Sequence, residues 1–267
     1  MTRYYFSERV WLQSAFLLLA AIPAILIAFQ FDARMINDIS IWVKPLKFHV
    51  STSLHLITLA VLVRFLSKDA RTSIWLGAVA VISAVAAIIE LLIISGQAVR
   101  GVPSHFNFAT SFDAIVYAMM GIGALLLIMP ALVLGLRFLT APVSEKLSPG
   151  LKLGAGLGLT IGFVLTLVLA GYMSMRSGGH WVGGPQTDEG GVPVVGWSRQ
   201  GGDLRVSHFI ATHLMQVLPL IGYLGDKFFG ADSATPKLIV WIAAISGTAL
   251  TIATFMQAMA GQPFIQF

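Results

Sequence analysis

Long apolar stretches separated by short polar segments dominate the chain. A helix needs about 20 apolar residues to cross the hydrocarbon core of a bilayer. Seven stretches reach that length, at roughly 10–29, 46–66, 73–97, 113–138, 151–175, 206–224 and 237–259. The first follows Arg3, Glu8 and Arg9. It is too long for the apolar region of a signal peptide and lacks a clear small-residue cleavage site, so it reads as a span. The pattern predicts an all-α integral membrane protein with about seven transmembrane helices, forming a single membrane domain over residues 1–267.

Composition agrees. Of 267 residues, 57% are hydrophobic and 11% charged, against roughly 25% charged in soluble domains. The mean hydropathy is +0.83. The absence of cysteine excludes disulfides, thiolate catalysis and iron–sulfur ligation. No basic run or basic–aromatic stripe points to nucleic acid.

Charge placement predicts orientation, because cytoplasmic loops carry an excess of lysine and arginine. One side holds the N-terminus and the loops after the second, fourth and sixth spans. It carries Arg3, Arg9, Arg64, Lys68, Arg71, Arg137, Lys146, Lys152, Lys227 and Lys237 against Glu8, Asp69, Glu145, Asp226 and Asp232. The other side has seven basic and seven acidic residues. The N-terminus is therefore expected in the cytoplasm and the C-terminus outside, in a bacterial inner (plasma) membrane. The longest loop, 176–205, then lies outside. It is rich in Gly and Pro and holds Trp181 and Trp197, which favours an ordered lid over a loose linker.

Five ionisable residues fall inside spans, where lipid makes them costly. They are His49 and His55 on the second span, Glu90 on the third, and His208 and His213 on the sixth. At the helical rise per residue, His55, His213 and Glu90 lie about 13, 12 and 10 Å below the outer helix ends, and His49 and His208 about 5 Å. Residues six apart on a helix diverge by about 120°, and residues five apart by about 140°. One helix therefore cannot aim both its histidines at a single centre. Ser83, Glu90 and Gln97 recur every seven residues and share a stripe.

Paired helical imidazoles can ligate haem b axially, His55 with His213 or His49 with His208. Alternatively, His55, Glu90 and His213 suit a non-haem ion of iron, zinc or manganese. Met173, Met175, Met215, Met256 and Met259 would add thioethers for copper, although methionine is common packing in apolar helices. The bland alternative for each histidine is a hydrogen bond to a neighbouring helix. Glu90 reads as a proton carrier, a metal ligand or a partner of a histidine.

The segment RGVPSHFNFATSFD, residues 100–113, links the third and fourth spans. Thr110 or Ser111 can cap the fourth helix, with Asp113 in its first turn. Arg100, His105 and Asn107 are left as candidates for binding an anionic or quinone-like headgroup. In GGDLRVSHFIATHLMQVLP, residues 201–219, Asp203 can cap the sixth helix and pair with Arg205. Gln216 shares a face with His213 and can hydrogen-bond it or a ligand, and Pro219 interrupts the helix. Lys44 and Lys47 flank the outer end of the second span, where lysines usually snorkel to the interface.

The segments RGVPSHFN and GGDLRVSHFIATHLMQ resemble segments of uncharacterised bacterial polytopic membrane proteins. That resemblance covers most of the chain and implies no function. The clustered helical histidines are similar in kind to those of membrane b-type cytochromes, without a shared motif. There is no P-loop, no HExxH motif and no lysine inside the last span to carry retinal. The leading expectation is a membrane oxidoreductase. It would bind haem b through the second and sixth spans, with Glu90 handling protons and Arg100, His105 and Arg205 framing a quinone or substrate pocket. Lipid and a quinone or redox protein are the expected partners. A non-haem metal enzyme, and a cofactor-free transporter or subunit of a membrane complex, are the alternatives.

Overall fold

Each apolar stretch is a helix in the computed structural model, which describes residues 5–141 and 147–266. The helices are α1 (Phe6–Phe31), α2 (Val43–Val63), α3 (Lys68–Thr72), α4 (Ile74–Arg100), α5 (Ser111–Thr140), α6 (Pro149–Ser174), α7 (Leu204–Phe229) and α8 (Thr235–Met259). All but α3 are long and apolar enough to cross a membrane. A helix satisfies its backbone donors and acceptors internally, as a bilayer requires. Large apolar side chains such as Phe16, Leu17, Ile82, Ile115 and Ile245 stand exposed on these helices, ready for lipid. The chain is a multi-pass membrane protein. Arg3, Glu145 and Lys146 of the charge comparison lie outside the described residues.

The helices run past most of the apolar stretches, because polar residues at the interface continue a helix once a span has nucleated it. Thus α7 extends through Asp226 and Lys227 to Phe229. Helix α3 has no apolar period to announce it; Ser67 caps it by accepting from the Ala70 amide. Two minimal ladders also form, β1 (Met35–Ile36) with β2 (Ile39–Ser40), and β3 (Trp181–Val182) with β4 (Gly202–Asp203). Asn37 and Asp38, with φ of 51° and 64°, form the two-residue turn of the first, where a hairpin favours residues that tolerate positive φ.

Two compact units make up the chain: Met1–Ile36 with Ser40–Leu147, and Asn37–Ile39 with Ser148–Phe267. In the first, α1 packs on α2 and α4, and α4 packs on α5. Trp11 is fully buried, and its indole N–H donates to Ser83 Oγ at 2.9 Å. The Ser53 hydroxyl donates to the Ala15 carbonyl. Leu56, Leu59, Leu91 and Leu134 fill the core.

In the second unit, α6, α7 and α8 pack around Leu157, Leu214, Leu218, Val240 and Ala244. Glycines let the backbones of α6 and α7 touch. A Cβ on Gly154 would stand 2.3 Å from the Leu218 carbonyl oxygen, and one on Gly158 would stand 2.6 Å from that of Leu214. Small residues commonly serve this purpose between membrane helices. The carboxylate of Asp226 accepts from the Gly150 and Leu151 amides and so caps α6.

Candidate functional site

The first unit gathers its polar chemistry where α4 meets the 101–110 segment. Gly101, with φ of 71°, ends α4 in the left-handed conformation that favours glycine. Phe106, with φ of 55°, turns the chain again. The Asn107 side chain spans this turn, donating to the Pro103 carbonyl and accepting from the Ala109 amide. The turn brings His105 back over α4. Its Nε2 stands 4.0 Å from Glu90 Oε1, and its Nδ1 is 3.2 Å from Ser104 Oγ.

Aromatic rings surround that imidazole. Phe48, Phe106 and Tyr117 have centroids 5.8, 6.3 and 5.9 Å from it. Lys44 lies over Phe48, and its charge reaches Glu90. Glu90 is buried, and Gly123 on α5 makes room for it: a Cβ there would sit 3.2 Å from Oε2. The stripe read from the sequence is thus partnered along its length. Ser83 meets Trp11, Glu90 meets His105, and Gln97 donates to Asp113 Oδ1 at 3.0 Å.

Arg100 is engaged by Asp113 at 2.7 Å and by the Gln97 side-chain oxygen. Thr110 caps α5 by accepting from the Asp113 amide, while its hydroxyl donates back to the carboxylate. A ligand of Arg100 therefore has to share its charge with Asp113.

On α2, His49 is buried with Nδ1 2.8 Å from the Pro45 carbonyl oxygen. His55 is 7% exposed. Its ring makes a polar contact with the Leu127 backbone, and among the described residues Nε2 has no partner in good hydrogen-bond geometry.

In the second unit, His208 also has a buried nitrogen, Nδ1, without a hydrogen-bond partner among the described residues. His213 Nδ1 is 2.7 Å from the Phe209 carbonyl oxygen, and its ring lies over that of Phe209 at 3.9 Å. Gln216 is half-buried, one turn further along α7.

Arg205 organises the 175–203 loop. It bonds Asp188 at 2.7 Å, Asp203 at 2.6 Å and the Gly196 carbonyl at 2.7 Å. Asp203 caps α7 by accepting from the Arg205 amide, and it also accepts from the Ser198 amide. His180 stacks on Trp181 at 3.8 Å, with Nε2 3.9 Å from Asp188 Oδ1. Burial pushes the His180 imidazole below its ordinary value, against the pull of Asp188. Burial raises the Asp188 carboxyl, but His180 and Arg205 outweigh it and hold the group below the usual carboxylate value.

The structure thus joins Glu90 to His105, Arg100 to Asp113, and Arg205 to Asp188 and Asp203. His49 and His55 belong to the first unit, and His208 and His213 to the second. Among the described residues, no three His, Asp or Glu side chains converge as a metal site would require. Sequence reasoning missed Lys44 as a neighbour of Glu90, the aromatic rings around His105, and Asp188 as a partner of Arg205. No spacing rule links those positions. No protein-family model, curated protein or solved structure matches this chain.

Proposed function

We propose that this chain is a redox protein of the bacterial plasma membrane that binds haem b through imidazoles of its spanning helices. In this reading its N-terminus is cytoplasmic and its C-terminus lies outside. The observation that carries the proposal is His55 Nε2, a buried nitrogen in a spanning helix that, beside the Leu127 backbone, has no partner in good hydrogen-bond geometry among the described residues. Such an orphaned polar atom costs about 1–3 kcal/mol. An iron ion accepting its lone pair removes that cost.

His208 offers a second orphaned nitrogen. His49 and His213 are prepared differently. When Nδ1–H donates to the carbonyl one turn back, Nε2 keeps the lone pair that binds metal. Ligating histidines are commonly oriented by such an outer hydrogen bond. Haem b with two imidazole ligands supplies one-electron transfer. Glu90 and His105 hold and pass the accompanying protons, and the aromatic rings about His105 offer a stacking surface to a quinone or a small substrate.

A second reading rests on the Glu90–His105 contact alone. A carboxylate facing an imidazole within a membrane protein can exchange a proton without any cofactor, as a transporter or a subunit of a membrane complex requires.

The test is an absorption spectrum of the detergent-purified protein, oxidised and then reduced with dithionite, with metal analysis on the same sample. A Soret band with sharpened reduced α and β bands, lost in His55→Ala, is the expected result. Folded protein made with adequate haem but lacking a Soret band overturns the haem reading. Stoichiometric metal would then favour a non-haem centre, and absence of both would favour the second reading.

A further inference from the structure

At the end of α4 opposite Glu90, a cavity of about 720 Å³ opens between the start of α1, α3 and the first turns of α4. Its two ends differ in chemistry. Along one side run Phe6, Val81 and Ile82, all apolar and exposed. Gly77 forms part of the surface, where a Cβ would press on the Phe6 ring at 3.2 Å. At the other end stands Arg71, with its guanidinium held 4.3 Å from the centre of the Tyr5 ring.

Two polar groups there lack hydrogen-bond partners among the described residues. Arg71 Nε has none, and neither does the hydroxyl of Ser7, a residue 1% exposed that also lines the cavity. Ser73, the N-cap of α4, makes no side-chain cap bond and lines the same end, so the first amides of α4 add positive potential. Trp75, in the first turn of α4, is 78% exposed, as aromatic residues are at a membrane interface.

We propose that this cavity binds an anionic glycerophospholipid of the surrounding bilayer. The phosphate sits on Arg71 and Ser7, and one acyl chain lies against Phe6, Val81 and Ile82. A guanidinium grips phosphate through paired, charge-assisted hydrogen bonds. A free phosphate shares that head chemistry but leaves the apolar side uncovered. The start of α1 and the start of α4 are ends of spanning helices, so a lipid head and its tail meet the two ends of the cavity in the right order.

Native mass spectrometry of the full-length protein tests this. It is titrated with dioleoylphosphatidylglycerol, dioleoylphosphatidylcholine or glycerol 1-phosphate. One retained phosphatidylglycerol, at a concentration at least tenfold below that needed for phosphatidylcholine, is expected. Arg71→Gln should abolish the preference, Arg71→Lys should keep part of it, and Gly77→Leu should weaken retention of the lipid. Circular dichroism checks that each variant is folded. Equal retention of the two lipids by the wild-type protein overturns the proposal, as does an undiminished preference in folded Arg71→Gln. Glycerol 1-phosphate binding as tightly as the lipid overturns the lipid assignment.

Discussion

Glu90 Oε1 on α4 lies 4.0 Å from His105 Nε2, although the two residues are separated by the end of the helix and a reversal of the chain. Both groups are held from several sides, Glu90 by the gap at Gly123 and His105 by rings from α2, the 101–110 segment and α5. Glu90→Gln and His105→Gln should therefore be non-additive. Thermal unfolding in detergent of both single variants and the double variant is expected to give a coupling of about 0.5–3 kcal/mol. Simple additivity would mean that the two groups do not interact.

Arg205 is the only cation bonded to both Asp188 and Asp203 among the described ion pairs. Both carboxylates are buried. Arg205→Ala leaves them without that partner, and removing one member of a buried ion pair costs about 3–5 kcal/mol. Arg205→Lys should recover only part, because an ammonium cannot reproduce the forked geometry. Limited proteolysis within 183–200, with the melting temperature, reports both effects. A proteolysis pattern and melting temperature like the wild type's in Arg205→Ala would remove Arg205 as the anchor of the loop.

The spans were legible because lipid demands long apolar runs, and even α7, with His208, His213 and Gln216 inside it, keeps enough of one. Contacts within two or three residues were legible too. Thr110 caps α5 with Asp113 behind it, and Asp203 caps α7 and pairs with Arg205. Partnerships made by chain reversal were not. The Glu90–His105 contact depends on turns at Gly101 and Phe106, and the Asp188–Arg205 pair on a loop without regular spacing. Sequence depth put His49, His55, His208 and His213 on two levels, but depth says nothing about which helix each ring faces. Gly150, Gly154, Gly158 and Gly162 of α6 recur every four residues, yet their meaning lies in the helix they touch.

That glycine contact makes a sharp comparison within one helix. Gly154→Ala would place a methyl group 2.3 Å from the Leu218 carbonyl oxygen, so α6 and α7 must separate. Overpacking of this kind costs about 1–3 kcal/mol. Gly171→Ala meets nothing within 4 Å and lies on the same α6. It should be neutral or stabilising by up to about 1 kcal/mol through helix propensity. Melting temperatures of the two variants should move apart, and equal shifts would contradict the close approach.

The 175–203 loop should also respond to pH, through His180. Facing it are Asp188 at 3.9 Å, the Trp181 ring, and the charges of Arg205 and Asp203. Burial holds the imidazole below its ordinary value despite the two carboxylates. In an unfolded chain a histidine titrates near about 6.5. As pH falls through that value, the unfolded chain takes up a proton that the folded chain refuses, so stability declines; above it, this contribution is complete and flat. Asp188 acts in a lower window. Its folded value is depressed, so its contribution persists above the ordinary carboxylate range and is lost only as pH drops through and below it. Between pH 7.5 and 5.5 the loop should therefore loosen on account of His180 and not of Asp188. Protection of the loop amides in the wild type, measured as hydrogen exchange relative to the intrinsic rate at each pH, should fall over that interval, and His180→Gln should flatten the dependence. An unchanged slope in His180→Gln would show that another group carries it.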